Sequence, residues 1–217
     1  MMYDVSILIS SLNECNNIVN LINSYNNNNL LYEIIVCSDS TSRDLSNVKY
    51  IPDPNTSVKA FNDAYRCSNG KFILIFPGTV LPPPNMFDII EYLDGLKYKI
   101  SSFSDDFGAS CFVPDWSSYL FGLNYRPQIL RFPCFHRDFI ENYLDGVIFN
   151  ESFKHHWVDN WLSIFCGQYF HNISENTQFR IKTIPHVSMS KHDDHDLDVF
   201  KKLLEAKKNY NYRVKLK

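Results

Sequence analysis

Apolar residues arrive along this chain in short, β-branched blocks, and stretches of helical period separate them. Val5 to Ile9 is such a block, as expected of a buried strand, and Ser10 to Asn13 breaks it. Glu14 to Tyr25 then places Ile18, Leu21, Ile22 and Tyr25 at helical spacing, and the run Asn26 to Asn29 ends that helix. Ile34 to Cys37 reads as a second buried strand, followed by the polar turn Ser38 to Arg43. Asn55 to Ser68 reads as a helix with Val58, Phe61, Ala64 and Tyr65 on one face, and Asn69-Gly70 is read as its stop. Phe72 to Phe76 is a third buried strand. Strand, helix, strand, helix, strand predicts an α/β fold with a parallel sheet and crossover helices. Ligands of such sheets bind beyond the carboxyl ends of the strands, here Ser10 to Asn13, Ser38 to Thr41 and Pro77 to Val80.

The second half is less regular. Pro82 to Pro84 is a stiff loop and Met86 to Leu96 a predicted helix. Gly108 to Val113 and Gln128 to Phe132 read as strands, and Arg137 to Tyr143 as a short helix. Val158 to Tyr169 is a stronger helix, with Trp161, Leu162 and Phe165 at helical spacing. Phe179 to Ile184 alternates like a half-buried strand, and Asp196 to Lys208 is an amphipathic helix with a basic end. With no repeat and no linker, the 217 residues are expected to form one domain: a nucleotide-binding half over 1–100 and an acceptor half over 101–217 that ends in the C-terminal helix.

Composition narrows the function classes. Hydrophobic residues at 45% suffice for a sizeable core, and 21 basic against 24 acidic side chains leave no basic face for nucleic acid. Aromatic residues at 15% suit both a packed core and a cleft with stacking surfaces for a base or a sugar ring. The six cysteines form no CxxC pair, and several sit in apolar runs, which points to a reducing, cytoplasmic setting rather than a disulfide or zinc framework. The apolar run at the N-terminus is too short for a signal peptide, and no transmembrane segment is expected.

The order and spacing of five segments resemble the glycosyltransferase family 2 pattern on the glycosyltransferase A fold. Val5-Ser-Ile-Leu-Ile-Ser-Ser-Leu-Asn-Glu14 is similar to the family's opening strand and its asparagine–glutamate turn. Tyr32-Glu-Ile-Ile-Val-Cys-Ser-Asp-Ser-Thr-Ser42 is similar to the second strand, with Asp39 at the second aspartate of a pair and Ser38 in place of the first. Asn55 to Lys71 resembles the following helix, Phe72-Ile-Leu-Ile-Phe-Pro-Gly-Thr-Val-Leu81 the third strand, and Phe149 to Gly167 the segment carrying the catalytic base. The resemblance implies a Rossmann-like, mostly parallel sheet flanked by helices. It also implies a nucleotide-diphosphate sugar as donor, held by Asn13, Glu14, Asp39, Gly78 and Thr79, and a glycan, lipid-linked sugar or protein as acceptor.

The sequence departs from that pattern where the family presents Asp-x-Asp or Gly-Asp to hold Mn²⁺ or Mg²⁺. Phe76-Pro77-Gly78-Thr79-Val80 contains no carboxylate. Three readings stay open: a metal-independent enzyme that balances the diphosphate with Lys59, Arg66, Arg126 or Arg131 and backbone amides; a metal held from elsewhere; or binding without catalysis. By the same resemblance, His186 or His192 is the late histidine that contacts metal or diphosphate. Lys191-His-Asp-Asp-His-Asp196 reads equally as a solvated loop and helix cap.

Inverting transfer requires a general base for the acceptor hydroxyl, and Asp159 occupies that place in His155-His-Trp-Val-Asp-Asn-Trp-Leu162. An aspartate in a first helical turn also suits the helix dipole without any catalysis. His155, His156 and Trp157 read as a loop wall of the acceptor site, and Trp161 as core. The expectation is a glycosyltransferase with Asp159 as base. The alternative is a non-catalytic nucleotide-sugar or carbohydrate-binding module on the same scaffold, and a nucleotidyltransferase lacks its glycine-rich signature at Ser10-Ser11-Leu12-Asn13.

Overall fold

A computed structural model of the chain describes residues 2–10, 16–38, 48–78, 80–90, 100–102, 104–105, 132–155, 158–166, 180–183 and 193–209. Strand β1 (Tyr3–Ser10) leads to helix α1 (Asn16–Asn23), then β2 (Tyr32–Cys37) and β3 (Val48–Ile51). Helix α2 (Ser57–Arg66) and strand β4 (Gly70–Pro77) complete the first half. Strand β5 (Val80–Leu81) and a 3-10 turn (Met86–Asp88) follow, then β6 (Ile100–Ser102), β7 (Ser104–Asp105) and β8 (Pro133–His136). Helix α3 (Arg137–Tyr143), helix α4 (Val158–Cys166), strand β9 (Arg180–Thr183) and helix α5 (Asp193–Asn209) end the chain.

The main sheet has six strands in the order β3-β2-β1-β4-β8-β6. Its first four strands are parallel, and β8 runs antiparallel to β4 on one side and β6 on the other. A small sheet of order β5-β9-β7 stands apart from it. The mostly parallel sheet with flanking helices is the architecture expected from the alternating elements.

Side-chain alternation builds the two faces. Val5, Ile7, Ile9, Ile34, Val36, Phe72, Leu74 and Phe76 pack with α1 and with Met86, Phe87, Ile89 and Ile90. Leu8, Ile35, Ile73 and Ile75 pack with α2, α3, α4 and α5. Each such fully buried aliphatic or aromatic side chain contributes about 1.5–3 kcal/mol. Strands covered on both faces are apolar at nearly every position, which is why the first half reads so clearly in the sequence. The asparagine run is explained by backbone geometry: Asn28 and Asn29 take φ of 51° and 61°, and their N–H groups donate to the side chains of Asn26 and Asn27. Asparagine tolerates that left-handed region better than other chiral residues.

Three expectations change. Gly70 does not stop α2 but opens β4, and a Cβ there would overlap the backbone of Val5 and Ser6. Strand β3 was not expected, because Val48–Ile51 is an edge strand with no fully buried residue and carries little pattern. Helix α5 starts at Asp193, three residues before the expected start, so His195 lies in its first turn, and Asp196 is buried rather than solvated. The expected strand Gly108 to Val113, most of Gln128 to Phe132, and residues 91–96 of the third helix lie outside the described residues. Among the described residues no helix is long and apolar enough to cross a membrane, and Cys37, Cys67 and Cys134 form no disulfide.

Gly70→Ala is expected to cost about 1–3 kcal/mol, the range for overpacking a site whose neighbour is backbone. The urea midpoint of the variant against the parent checks it, with the slope unchanged.

Candidate functional site

The strand order reverses at β1: β2 and β3 build outward on one side and β4 on the other. Such a reversal opens a crevice at the carboxyl ends of the strands. Those ends finish level. Ser10 stands opposite Cys37 on one side and Pro77 on the other, and Cys37 stands opposite Ile51. With strands about 4.8 Å apart, the ends of β2, β1 and β4 span about 10 Å, a width that suits a base or sugar ring. Local bonds fix this edge. The Gly78 N–H donates to Ser10 O at 2.7 Å, and the N–H of the buried Ser38 donates to Ile51 O at 3.2 Å. The Cys37 thiol reaches Pro52 O at 3.1 Å.

Gly78 therefore lies on the edge where the sequence expects it. Asn13, Glu14, Asp39, Thr79, His186 and His192 lie outside the described residues. Chain connectivity still starts their segments from known points. Asp39 follows Ser38, Thr79 follows Gly78, and Asn13 is three residues beyond Ser10.

Helix α2 begins on this same edge, because it follows the carboxyl end of β3. Thr56 caps it, accepting the Lys59 N–H at 3.4 Å, and Lys59 is exposed in the first turn. Ser57 Oγ lies 2.6 Å from His155 Nδ1, and the Val58 N–H donates to Lys154 O at 3.4 Å. These bonds bring the segment before α4 to the carboxyl edge. Three residues past His155, Val158 is buried and starts α4, and the half-buried Asp159 is its second residue. Asp159 Oδ1 accepts the Asn160 N–H at 2.9 Å, and its carbonyl accepts from Ser163 Oγ at 2.6 Å. The carboxylate thus stands at a helix N-terminus.

The other expected residues separate. Arg66 is at the far end of α2, bonded to Asp63 at 2.7 Å and to Glu151 at 2.6 Å, so it serves the fold rather than a diphosphate. The bond from Arg66 holds the Glu151 carboxyl below its usual range. Trp161 packs partly buried against the helical face and lines a groove of about 590 Å³ with Tyr143, Phe149 and Leu203, on the α3–α4–α5 side of the molecule. His156, Trp157, Arg126 and Arg131 lie outside the described residues.

The sequence reading missed Asn62 and took Asp196 for part of a solvated loop and helix cap. Asn62, buried in α2, donates to Phe149 O at 2.8 Å and accepts the Phe149 N–H at 3.0 Å. Asp196, buried in α5, accepts the N–H groups of Lys154 and His155. The available signal was a polar residue in an apolar stripe: Asp196, Phe200 and Leu204 follow helical spacing.

No protein-family model and no curated protein sequence matches the chain. Solved structures do. Residues 1–349 of TarS from S. aureus align over 100% of this chain and 67% of that one, with a TM-score of 0.65 at 14% identity. The same TarS segment in complex with UDP-GlcNAc gives 0.65 at 12% identity, over 100% of this chain and 68% of that one. Glucosyl-3-phosphoglycerate synthase from Mycobacterium tuberculosis, in complex with Mn²⁺, UDP-glucose and phosphoglyceric acid, aligns over 94% of this chain and 79% of its own, with a TM-score of 0.61 at 13% identity. The fold is that of the A-type glycosyltransferases. On this A-type scaffold the donors described at the end of β4 do not fit a divalent cation. Pro77 and Gly78 offer only main-chain atoms, Gly78 N–H is already engaged with Ser10, and no group of three or more potential metal ligands occurs among the described residues.

Glu151 contributes stability above its unfolded pKa that is lost as pH falls through its lowered folded value. Both partners of its bond to Arg66 are nearly half exposed, so Glu151→Gln is expected to cost under about 1 kcal/mol at pH 7. The difference from the parent should shrink as pH falls below the ordinary glutamate range and through the lowered folded value, in urea titrations run across pH.

Proposed function

We propose that this protein is a glycosyltransferase that binds a nucleotide-diphosphate sugar across the carboxyl ends of β1, β2 and β4 and transfers the sugar with inversion, with Asp159 as general base. The observation that carries the reading is one of placement. The strand ends finish level at the reversal point, and the Ser57–His155 contact ties the segment leading to α4 to the start of α2, which follows the carboxyl end of β3; both support a role for Asp159 at that edge. UDP sugars in the complexes of TarS and of glucosyl-3-phosphoglycerate synthase support a nucleotide sugar as donor class.

In this reading Asn13, Glu14 and Asp39 hold the base and ribose, and Gly78 and Thr79 approach the diphosphate. The acceptor is a glycan, lipid-linked sugar or protein. Asp159 takes the proton of the acceptor hydroxyl while that oxygen attacks the anomeric carbon. The bond from the anomeric carbon to the diphosphate oxygen breaks, and its electron pair leaves with the nucleoside diphosphate. Positive charge for the leaving group comes from the exposed Lys59 in the first turn of α2 and from main-chain amides at the edge. The described residues at the end of β4 supply only main-chain atoms to a cation, so no step is routed through one there. His186 and His192 are the proposed late contacts to the diphosphate or to an ion.

One specific observation favours a second reading. The absence of any carboxylate from Phe76 to Val80 suits a module that binds the donor without turning it over.

The test is donor binding and donor hydrolysis with UDP-GlcNAc and UDP-glucose, with and without Mn²⁺. The expected outcome is a thermal shift with donor and a measurable release of UDP. Asp159→Asn should lower that release about 10²-fold or more, in line with the loss of a general base, and leave donor affinity within about twofold. Unchanged release in the variant would remove Asp159 from the chemistry, and donor binding without any release would leave the binding module.

A further inference from the structure

Asp196 is the anomaly of the helical face. It is 0% exposed, in the first turn of α5, on the stripe that continues through Phe200 and Leu204 into the core. An apolar side chain would pack at such a position without the several kcal/mol that desolvating a carboxylate costs. The charge is offset by what it holds. Oδ1 accepts the N–H of Lys154 at 2.9 Å, and Oδ2 accepts the N–H of His155 at 2.8 Å. Two consecutive amides are thus gripped by the two oxygens of one carboxylate. The first turn of α5 also lends its dipole to that charge. His195 adds only a peripheral contact, its Nε2 4.0 Å from Oδ1 and 3.1 Å from Ser152 O.

The gripped peptides occupy a decisive stretch of chain. Upstream, Asn62 of α2 holds both backbone groups of Phe149, and the Phe153 side chain is buried. Downstream, His155 meets Ser57, and three residues later the buried Val158 starts the helix that carries Asp159. Asp196 therefore ties the C-terminal helix to the last described turn of backbone before α4.

We infer that Asp196 is a positioning residue for the transfer step: its carboxylate sets the backbone at Lys154–His155 and through it the approach of Asp159 to the acceptor hydroxyl. The inference rests on the proposed role of Asp159. A displacement of about 1 Å at a catalytic group can cost about 10²-fold in rate, so a grip that fixes two peptide planes is enough to matter. An asparagine at this position keeps one acceptor oxygen and turns an N–H₂ toward the second amide, so half of the grip becomes a repulsion.

The experiment compares Asp196→Asn and Asp196→Ala with Asp159→Asn and with Leu204→Ala, which opens a cavity in the same helix without touching the grip. The readouts are kcat and KM for UDP release from UDP-GlcNAc or UDP-glucose, and amide hydrogen exchange of the peptide spanning 150–160. Asp196→Asn should lower kcat about tenfold and Asp196→Ala further, with KM for the donor within about twofold. Protection should fall in the 150–160 peptide and persist in β1 and β4. Leu204→Ala should lose stability and keep kcat. Unchanged kcat in both Asp196 variants, with Asp159→Asn inactive, overturns the positioning role and leaves the base in place. An equal fall of kcat in Leu204→Ala overturns it too, by reducing it to general loosening. Full activity in Asp159→Asn, or no UDP release by the parent protein, removes the proposed function and the inference with it. If Asp196→Ala does not fold, Asp196→Asn carries the comparison alone.

Discussion

Strand β4 lies so close to β1 that the backbone at Gly70 has no room for a side chain against Val5 and Ser6. The contact is polar as well as tight. The Gly70 N–H donates to Ser6 Oγ at 2.7 Å, and that hydroxyl donates to Glu33 Oε1 at 2.6 Å. Glu33 also accepts the Asn69 N–H. Ser6 is wholly buried, and both its hydrogen-bonding roles are met, so this polar atom inside an apolar sheet costs little. The arrangement sets β4 against β1 and ties both to β2 at the amino end. Because the strands are continuous and paired in register, fixing one end levels the other. The level carboxyl ends at Ser10, Cys37 and Pro77 follow from that constraint.

The same amino edge also receives α3. Arg137 donates to Gly70 O at 2.7 Å and to Ser68 Oγ at 2.6 Å, and its guanidinium lies 4.8 Å from the Tyr65 ring centre. Tyr65 donates to Glu141; burial first, and then that bond, push its phenol well above the ordinary tyrosine range. This network locks α2 and α3 onto the sheet at the end away from the crevice. The two ends of the molecule thus differ in kind. The amino edge is closed by satisfied polar contacts, while among the described residues the carboxyl edge carries the start of α2.

The helical face does more than cover the sheet. Asn62 and Asp196 reach from α2 and α5 to grip the backbone between Phe149 and His155 from two sides. The segment forms no helix or strand, and apart from the turn at Asn150, which takes the N–H groups of Ser152 and Phe153, its amides need other partners. Side-chain acceptors take the place of a ladder for the amides of Phe149, Lys154 and His155.

The sequence alone determined the parallel core. Val5–Ile9, Ile34–Cys37 and Phe72–Phe76 are apolar at most positions because both faces of those strands are covered, and a doubly buried strand can be little else. Helices α2, α3 and α4 and the asparagine run as a helix-ending loop were legible for equally local reasons, and the left-handed backbone of Asn28 and Asn29 came from the structure. Of the candidate site, the sequence supplied the three strand ends and Asp159 at a helix start, and the levelling of those ends came from register. Only the tertiary structure decided the rest. β3 is a short edge strand with no fully buried residue, β8 is a short strand whose partner β4 lies some sixty residues earlier, and no local pattern marks either. Gly70 looked like a helix stop because glycine ends helices, and it proved to be a strand residue whose missing Cβ admits a neighbouring backbone. Asp196 looked like a solvated cap because charge favours water. Its burial depends on two amides some forty residues earlier in the chain, a contact that exists only once α5 has packed on the sheet.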